Sequence, residues 1–476
     1  MRSRFLPLMV VAGVFGAALW WAKASGSSLL IRQSLPATPV PVRVERAPYD
    51  PDEVHRSLQF YAAQRRSDPG SAIFAASLSH QYLESYRETG DNADVLRAEQ
   101  AARASLAIRT HNNSDAFFQL SRALLARHRF PEALAIARKA SRSNPNGLRE
   151  CADIEFEIGD YAEAERDVSA ARRAAIANAR VVALTRGNTR PPTPDDDPAF
   201  LALVARANEL HGDADGQLAL LSRAARKADD DGNLAPQSVA WFHERLGRAL
   251  FMRGQLDGAE QSYLSGLKVF PRDYRTMAAL AHLNAARGDW NKTIEWGDKA
   301  AGIVPSPETL ALLGDAYQAL GQTQKARAQW KLVEQIGALS LAQGVIYDRQ
   351  RALFYADHGL KPQEAVKLAR GELRFRHDIY TFDTLAWTLF KAGRLDEAAA
   401  NAKRALAFGT RDASLYFHAG IIAASQKQNA LARDYLSRAL KINPAFHPSQ
   451  PAQARETLAR LNSLSGVAPA NAASGT

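Results

Sequence analysis

The sequence predicts an all-α fold, an α-solenoid of stacked helix pairs. Three observations carry this expectation. Alanine and leucine dominate and β-branched runs are scarce, which favours helix over strand. Apolar residues recur at helical spacing in short segments broken by Gly-containing turns. The segments also repeat: Ala259, Thr293, Ala326, Ala365, Ala398 and Ala432 occupy equivalent positions, mostly about 34 residues apart. One helix pair cannot bury its own apolar faces, but a stack of pairs can.

The clearest unit runs from Ser306 to Ala338. Its first helix carries Leu310, Leu313 and Tyr317, with the small Gly314 beside Leu313. A turn follows at Gly321 and Gln322, and a second helix carries Ala326, Trp330 and Val333. Gly314, Gly247 and Gly420 are expected to let two helices approach closely, where a larger side chain would clash.

Taken in order, the chain opens with Arg2 and Arg4 ahead of an apolar run from Phe5 to Ala22. This pattern fits a signal peptide cleaved after Ala24 or a retained membrane anchor ending at Trp20, Trp21 and Lys23. Either places the bulk of the chain across the cytoplasmic membrane. Pro36, Pro39 and Pro41 make the next segment an extended tether. Asp50 followed by Pro51 reads as a helix start, N-cap then N1.

Helix pairs follow. Phe117 and Leu120 precede Ala133 and Ala137. Leu148, Cys151 and Ala152 precede Ala164 and Val168. The stretch from Arg186 to Pro198, RGNTRPPTPDDDP, interrupts the array, because no helix can cross four prolines. A weaker unit begins at Ala199. Strong units then continue from Gln237 to Pro444, with a longer connection at Leu339 to Tyr347. A half-polar helix near Pro451 to Leu461 suits a terminal cap. The expected divisions are 1–24 signal or anchor, 25–50 linker, 51–181 and 199–446 the two sub-arrays around a linker at 182–198, 447–464 the cap and 465–476 a disordered tail.

These units resemble tetratricopeptide repeats, with Leu-Gly or Leu-Ala in the first helix, Ala in the second and Pro at the end. The likeness spans Tyr82 to Pro444. Departures occur where Glu155 replaces the usual aromatic and Thr293 the usual alanine. The strings LFYADHG (Leu353 to Gly359), IYTFDTLAW (Ile379 to Trp387) and GTRDASLYFHAG (Gly409 to Gly420) are similar to bacterial, exported or membrane-anchored members. The resemblance implies a right-handed superhelix of about ten units and implies no chemistry.

The net charge of +10 is spread among 50 acidic residues, so no nucleic acid partner is expected. The sequence holds no HExxH, Walker A, GxSxG or CxxC motif, and its eleven histidines lack ligand spacing. No enzyme activity, cofactor or metal is expected. The lone Cys151 reads as a small buried residue. Asp357-His358, just before Gly359, is an adjacent acid–base pair, at a helix C-terminus that also favours a cationic His. The expected functional surface is the concave groove lined by the first helices: Trp241, Glu244, Arg248, Arg275, His282, Asp315, Gln318, Arg349, Tyr380, Asp383, Trp387 and Phe417. Aromatic anchors among charges suit a protein or peptide segment. The function expected is a scaffold assembling a complex on the outer side of the cytoplasmic membrane. The alternatives are an accessory subunit of envelope polysaccharide or secretion machinery, and an enzyme with an unrecognised site.

Overall fold

The computed structural model describes residues 46–463, except 143, 187–192 and 343–347. The expectations for 1–24, for most of 25–50, for the centre of each longer connection and for the 465–476 tail lie outside these residues. The described residues contain 22 α-helices and no strand, and they belong to one compact unit. In order the helices are α1 (Glu53–Ser67), α2 (Ala72–Thr89), α3 (Asn92–Ile108), α4 (Ser114–Ala126), α5 (Phe130–Ser141), α6 (Gly147–Ile158), α7 (Tyr161–Arg186), α8 (Pro198–Leu210), α9 (Ala214–Asp230), α10 (Pro236–Met252) and α11 (Leu256–Val269). They continue as α12 (Tyr274–Ala286), α13 (Trp290–Ala301), α14 (Pro307–Ala319), α15 (Thr323–Ala342), α16 (Asp348–Asp357), α17 (Pro362–Glu372), α18 (Ile379–Lys391), α19 (Leu395–Ala405), α20 (Ala413–Ser425), α21 (Asn429–Ile442) and α22 (Gln450–Ser463).

From α2 to α21 these form ten consecutive pairs, and each pair turns through a left-handed residue, with a second one, Lys361 at φ 42°, between α16 and α17. Gly90, Gly159, Gly212, Gly254, Gly288, Gly321, Gly359 and Gly393 serve eight pairs, with φ between 64° and 92°. His128 and Lys427 serve the other two, at φ 57° and 60°. Glycine suits this conformation because it has no Cβ to clash with the carbonyl. First helices of successive pairs approach one another more closely than second helices do, so they form the inner, concave wall.

The unit at Ala199, weak in sequence, is a regular pair, α8 with α9, buried around Leu201, Ala205, Leu221 and Ala224. The interruption before it is shorter than expected: α7 reaches Arg186, and Pro194–Asp196 forms one 3-10 turn. Asp197 then caps α8, its carboxylate accepting the Ala199 amide at 2.9 Å. At the start of the array, Asp50 accepts the Asp52 amide within a turn, and the helix begins two residues later than the sequence suggests. The small-residue positions behave as packing demands. A Cβ on Gly314 would lie 2.2 Å from Trp330 Nε1, and one on Gly420 2.7 Å from Leu436. Cys151 is buried, which pushes its thiol up to about 12 and leaves it inert.

The coil closes on itself, a feature that the repeat pattern does not announce. The turns of the first, third, fourth and fifth pairs press on the loop that follows the pair five positions later. The His377 amide donates to the Ile158 carbonyl at 2.6 Å. The Ile379 amide donates to Tyr161 Oη at 2.9 Å, and Arg376 pairs with Glu157, 219 residues earlier. Thr410 Oγ1 donates to the Leu210 carbonyl at 2.6 Å, and Asn443 Nδ2 to the Phe251 carbonyl at 2.7 Å. At the upper end Arg46 donates to the carbonyls of Ala228, Asp231 and Leu234, at 2.5, 2.8 and 3.2 Å. The turn glycines therefore fall into two groups. A Cβ on Gly90, Gly159 or Gly212 would lie within 2.4–2.5 Å of the next coil, whereas Gly288, Gly321, Gly359 and Gly393 have nothing within 4 Å.

Glu155 sits in the core of α6, with Arg138 and Asp167 as neighbours. Burial outweighs the attraction of Arg138 and pushes its carboxyl up to about 8. The folded form thus holds a proton that the unfolded chain loses near 4.5. Stability should fall as pH rises from about 4.5 to about 8, because over that window the folded state binds the extra proton. Denaturant titrations should show this slope, and Glu155→Gln should flatten it.

The seam yields a second expected outcome. Asparagine tolerates the left-handed region, so Gly321→Asn should leave stability nearly unchanged. Gly159→Asn forces a Cβ against the His377–Asp378 backbone and should cost about 1–3 kcal/mol more in urea unfolding. Equal losses at the two sites would contradict the seam.

Candidate functional site

The concave wall is built from the first helices, and capping sets their directions. Ser306 accepts the Thr309 amide at 3.2 Å to start α14. Asp378 accepts the Tyr380 and Thr381 amides at 3.0 and 3.2 Å to start α18. The other carboxylate oxygen of Asp378 takes Arg349 at 2.6 Å, while Arg349 also reaches Thr381. Arg349 is thereby fixed beside the seam rather than offered to a ligand.

The twelve sequence-derived groove positions separate into two sets. In one, the side chain is already committed. Asp383 is buried and accepts from His418 Nδ1 at 2.9 and 3.0 Å. Burial lowers the His418 pKa, but the charge and hydrogen bond of Asp383 outweigh it, so the imidazole is held above its ordinary value. Trp387 is 2% exposed, stacks on His418 at 4.2 Å and donates Nε1–H to Asp357 at 2.8 Å. Phe417 is 0% exposed and packs on Phe446. These three do not face solvent, because α18 and α20 are buried on nearly all sides by their neighbours and the adjoining coil.

Three further positions of this first set are only half-committed. Tyr380 Oη reaches Glu209 at 3.3 Å, and burial raises its phenol well above the ordinary value. Arg248 lies 4.0 Å from the same Glu209, within the fields of Glu244 and Asp412. Asp315 accepts from His358 Nε2 at 2.7 Å, while His358 Nδ1 meets the Phe354 carbonyl at 2.8 Å. Burial acts to lower the His358 pKa, and Asp315 outweighs it upward. Asp357 and His358 are thus partners of Trp387 and Asp315, not of each other.

The second set is open. Trp241 is 38% exposed, with Arg245 5.1 Å above its ring. Glu244 is half-buried, 3.6 Å from Arg245. Arg275 is exposed and lies over Tyr274 at 4.5 Å. Gln318 is exposed, and so is His282. The protein mass around His282 thins the bulk water there and lowers its pKa, against the raising fields of Glu308 and Asp315. These five lie on α10, α12 and α14, three successive first helices.

Sequence reasoning missed Glu209, Glu308, Asp378 and His447. Asp378 was legible as a helix cap. Glu209 was not, since its role comes from Tyr380, 171 positions away. His447 Nδ1 accepts the Ser449 and Gln450 amides at 3.2 and 3.4 Å and so caps α22. Burial and the nearby His282 and His418 push it down to about 3. Among the described residues no three or more His, Cys, Asp and Glu side chains are placed to share a metal ion, and no helix is long and apolar enough to cross a membrane.

The family model described as tetratricopeptide repeat matches residues 244–306 and 384–445, so both stretches carry such repeats. Among solved structures, the human IFIT1 dimer with PPP-AAAA is 15% identical, with 71% of this chain and 73% of that chain covered and a TM-score of 0.44. Yeast Tom70 is 11% identical, covering 84% and 97%, with a TM-score of 0.33. A tetratricopeptide repeat protein from Parabacteroides merdae is 18% identical, covering 56% and 98%, with a TM-score of 0.32. None superposes closely. No curated protein matches the chain in sequence.

Proposed function

We propose that the chain is a noncatalytic scaffold that holds an extended protein segment against α10, α12 and α14. The observation that carries this reading is the contrast within the concave wall. Most polar groups there are paired with one another. Trp241, Arg275, His282 and Gln318 are exposed and make no ion pair among the described residues. An exposed indole beside the unpaired Arg275 guanidinium and the Gln318 amide offers an anchor plus hydrogen bonds, which suits a peptide chain. The committed residues Arg349, Asp383, Trp387 and Phe417 serve packing in this reading, and the dyads Asp315–His358 and Asp383–His418 position helices.

The scaffold works on the outer side of the cytoplasmic membrane. Support for that placement is the basic flank and apolar run of residues 2–22. An accessory subunit of envelope machinery would use the same face.

Crosslinking pull-down from intact cells tests the reading. Trp241→Ala with Arg275→Ala should lose most of the partners that the natural chain captures, with unchanged melting. Trp387→Ala should lower stability instead, by about 3–5 kcal/mol for a buried aromatic. Identical partner sets for the natural chain and the double variant would remove α10–α14 as the site. Fractionation with amino-terminal sequencing checks the placement; recovery in the soluble cytoplasmic fraction with an intact Met1 would refute it.

A further inference from the structure

Two rows of side chains cross the open wall. The small residues Gly247, Ala281 and Gly314 hold one position on α10, α12 and α14, 34 and 33 residues apart. Six residues before each stand Trp241, Arg275 and Glu308, and one residue after each stand Arg248, His282 and Asp315. Residues seven apart share a helix face, so both rows lie on the inner side. His282 of α12 lies in the fields of Glu308 and Asp315, so both carboxylates of α14 stand on its side of the wall.

The rows differ in how their charges are spent. In the second, Arg248 lies 4.0 Å from Glu209, and Asp315 accepts from His358 at 2.7 Å. In the first, Trp241, Arg275 and Glu308 are exposed, and none makes a side-chain hydrogen bond or ion pair among the described residues. The acids near Arg275 are engaged elsewhere. Asp273, in the field of Arg275, takes the Thr276 hydroxyl at 2.5 Å, and Glu244 lies 3.6 Å from Arg245. The first row therefore offers an indole, an unpaired positive charge and an unpaired negative charge, in that order.

Arg275 and Glu308 do not neutralise each other. Neighbouring helices stand about 8–10 Å apart, and an ion pair needs approach to about 4 Å. An extended chain covers the helix spacing in about three residues, at about 3.3 Å each.

We propose that the segment held on α10, α12 and α14 crosses them in extended form, presenting an apolar side chain to Trp241, an acidic one to Arg275 and a basic one to Glu308, each about three residues from the next. This rests on α10–α14 being the binding face and adds the chemistry of the occupant. The order holds for either chain direction: the acidic residue lies between the apolar and the basic one. A segment with the basic residue in the middle sets like charges against both Arg275 and Glu308 and is rejected.

Selection from a random dodecapeptide display library on the full chain tests the proposal. Enriched sequences should carry Asp or Glu between an apolar residue on one side and Lys or Arg on the other, at spacings of about three. Fluorescence anisotropy on the most enriched peptide then measures affinity. Arg275→Glu or Glu308→Arg should weaken it at least about tenfold by setting like charges together. The double variant should bind the same peptide with its two charges exchanged as tightly as the natural chain binds the original. Trp241→Ala should weaken either complex. Circular dichroism establishes that each variant is folded. Peptides that need Trp241 but ignore both charge changes would overturn the proposal and leave the binding face standing. Peptides indifferent to Trp241→Ala as well, or no enrichment over a blank surface, would remove the face too. A charge spacing of about seven, which suits a helical occupant, would overturn the extended form.

Discussion

A left-handed residue between the helices of each pair is the constraint on which this structure depends. It reverses the chain in the fewest residues and fixes the angle at which the second helix returns. Repeated ten times, that angle accumulates into a coil. The coil is tight enough that pair three touches the loop after pair eight. Local backbone geometry thus propagates into a contact between residues about 200 positions apart, without any strand or disulfide among the described residues.

The contact changes what the concave wall can do. In an open solenoid the first helices would present their polar positions to solvent. Here Asp378 both caps α18 and holds Arg349, and Tyr380 leans on Glu209 of the neighbouring coil. Polar groups drawn from water into a narrow interior need partners. The pairs Asp383–His418, Asp315–His358 and Trp387–Asp357 supply them. The open stretch is confined to α10, α12 and α14, where an exposed indole, an arginine and an amide share one wall.

Much of the pair architecture was legible in the sequence. Gly314, Ala326 and Trp330 announce their packing by spacing alone, and Gly321 announces its turn. Thr293, which breaks the repeat rule, still fits because its hydroxyl turns back to the Asp289 carbonyl at 2.8 Å. The seam was not legible. Gly159 and Gly321 hold the same place in the repeat, both in the left-handed region, and the pitch of the coil distinguishes their surroundings. The groove was legible as a wall but not as a surface: spacing places Phe417 on the inner side, whereas burial depends on Phe446 and the next coil. Glu155 was visible as an exception, and its protonation follows from the apolar site that an aromatic would otherwise fill.

A scaffold of this kind offers a rigid inner wall only while its coils stay in contact. The His377 amide reports that contact directly. It lies in a loop outside any helix, and its partner is the Ile158 carbonyl of the adjacent coil. Site-resolved hydrogen exchange on the folded protein is the most direct measurement. The expected result is strong protection at His377 and Ile379, matching the amides of α18 and lost only with global unfolding. Exchange at His377 as fast as in an unprotected loop would show the coils apart, and would contradict the account.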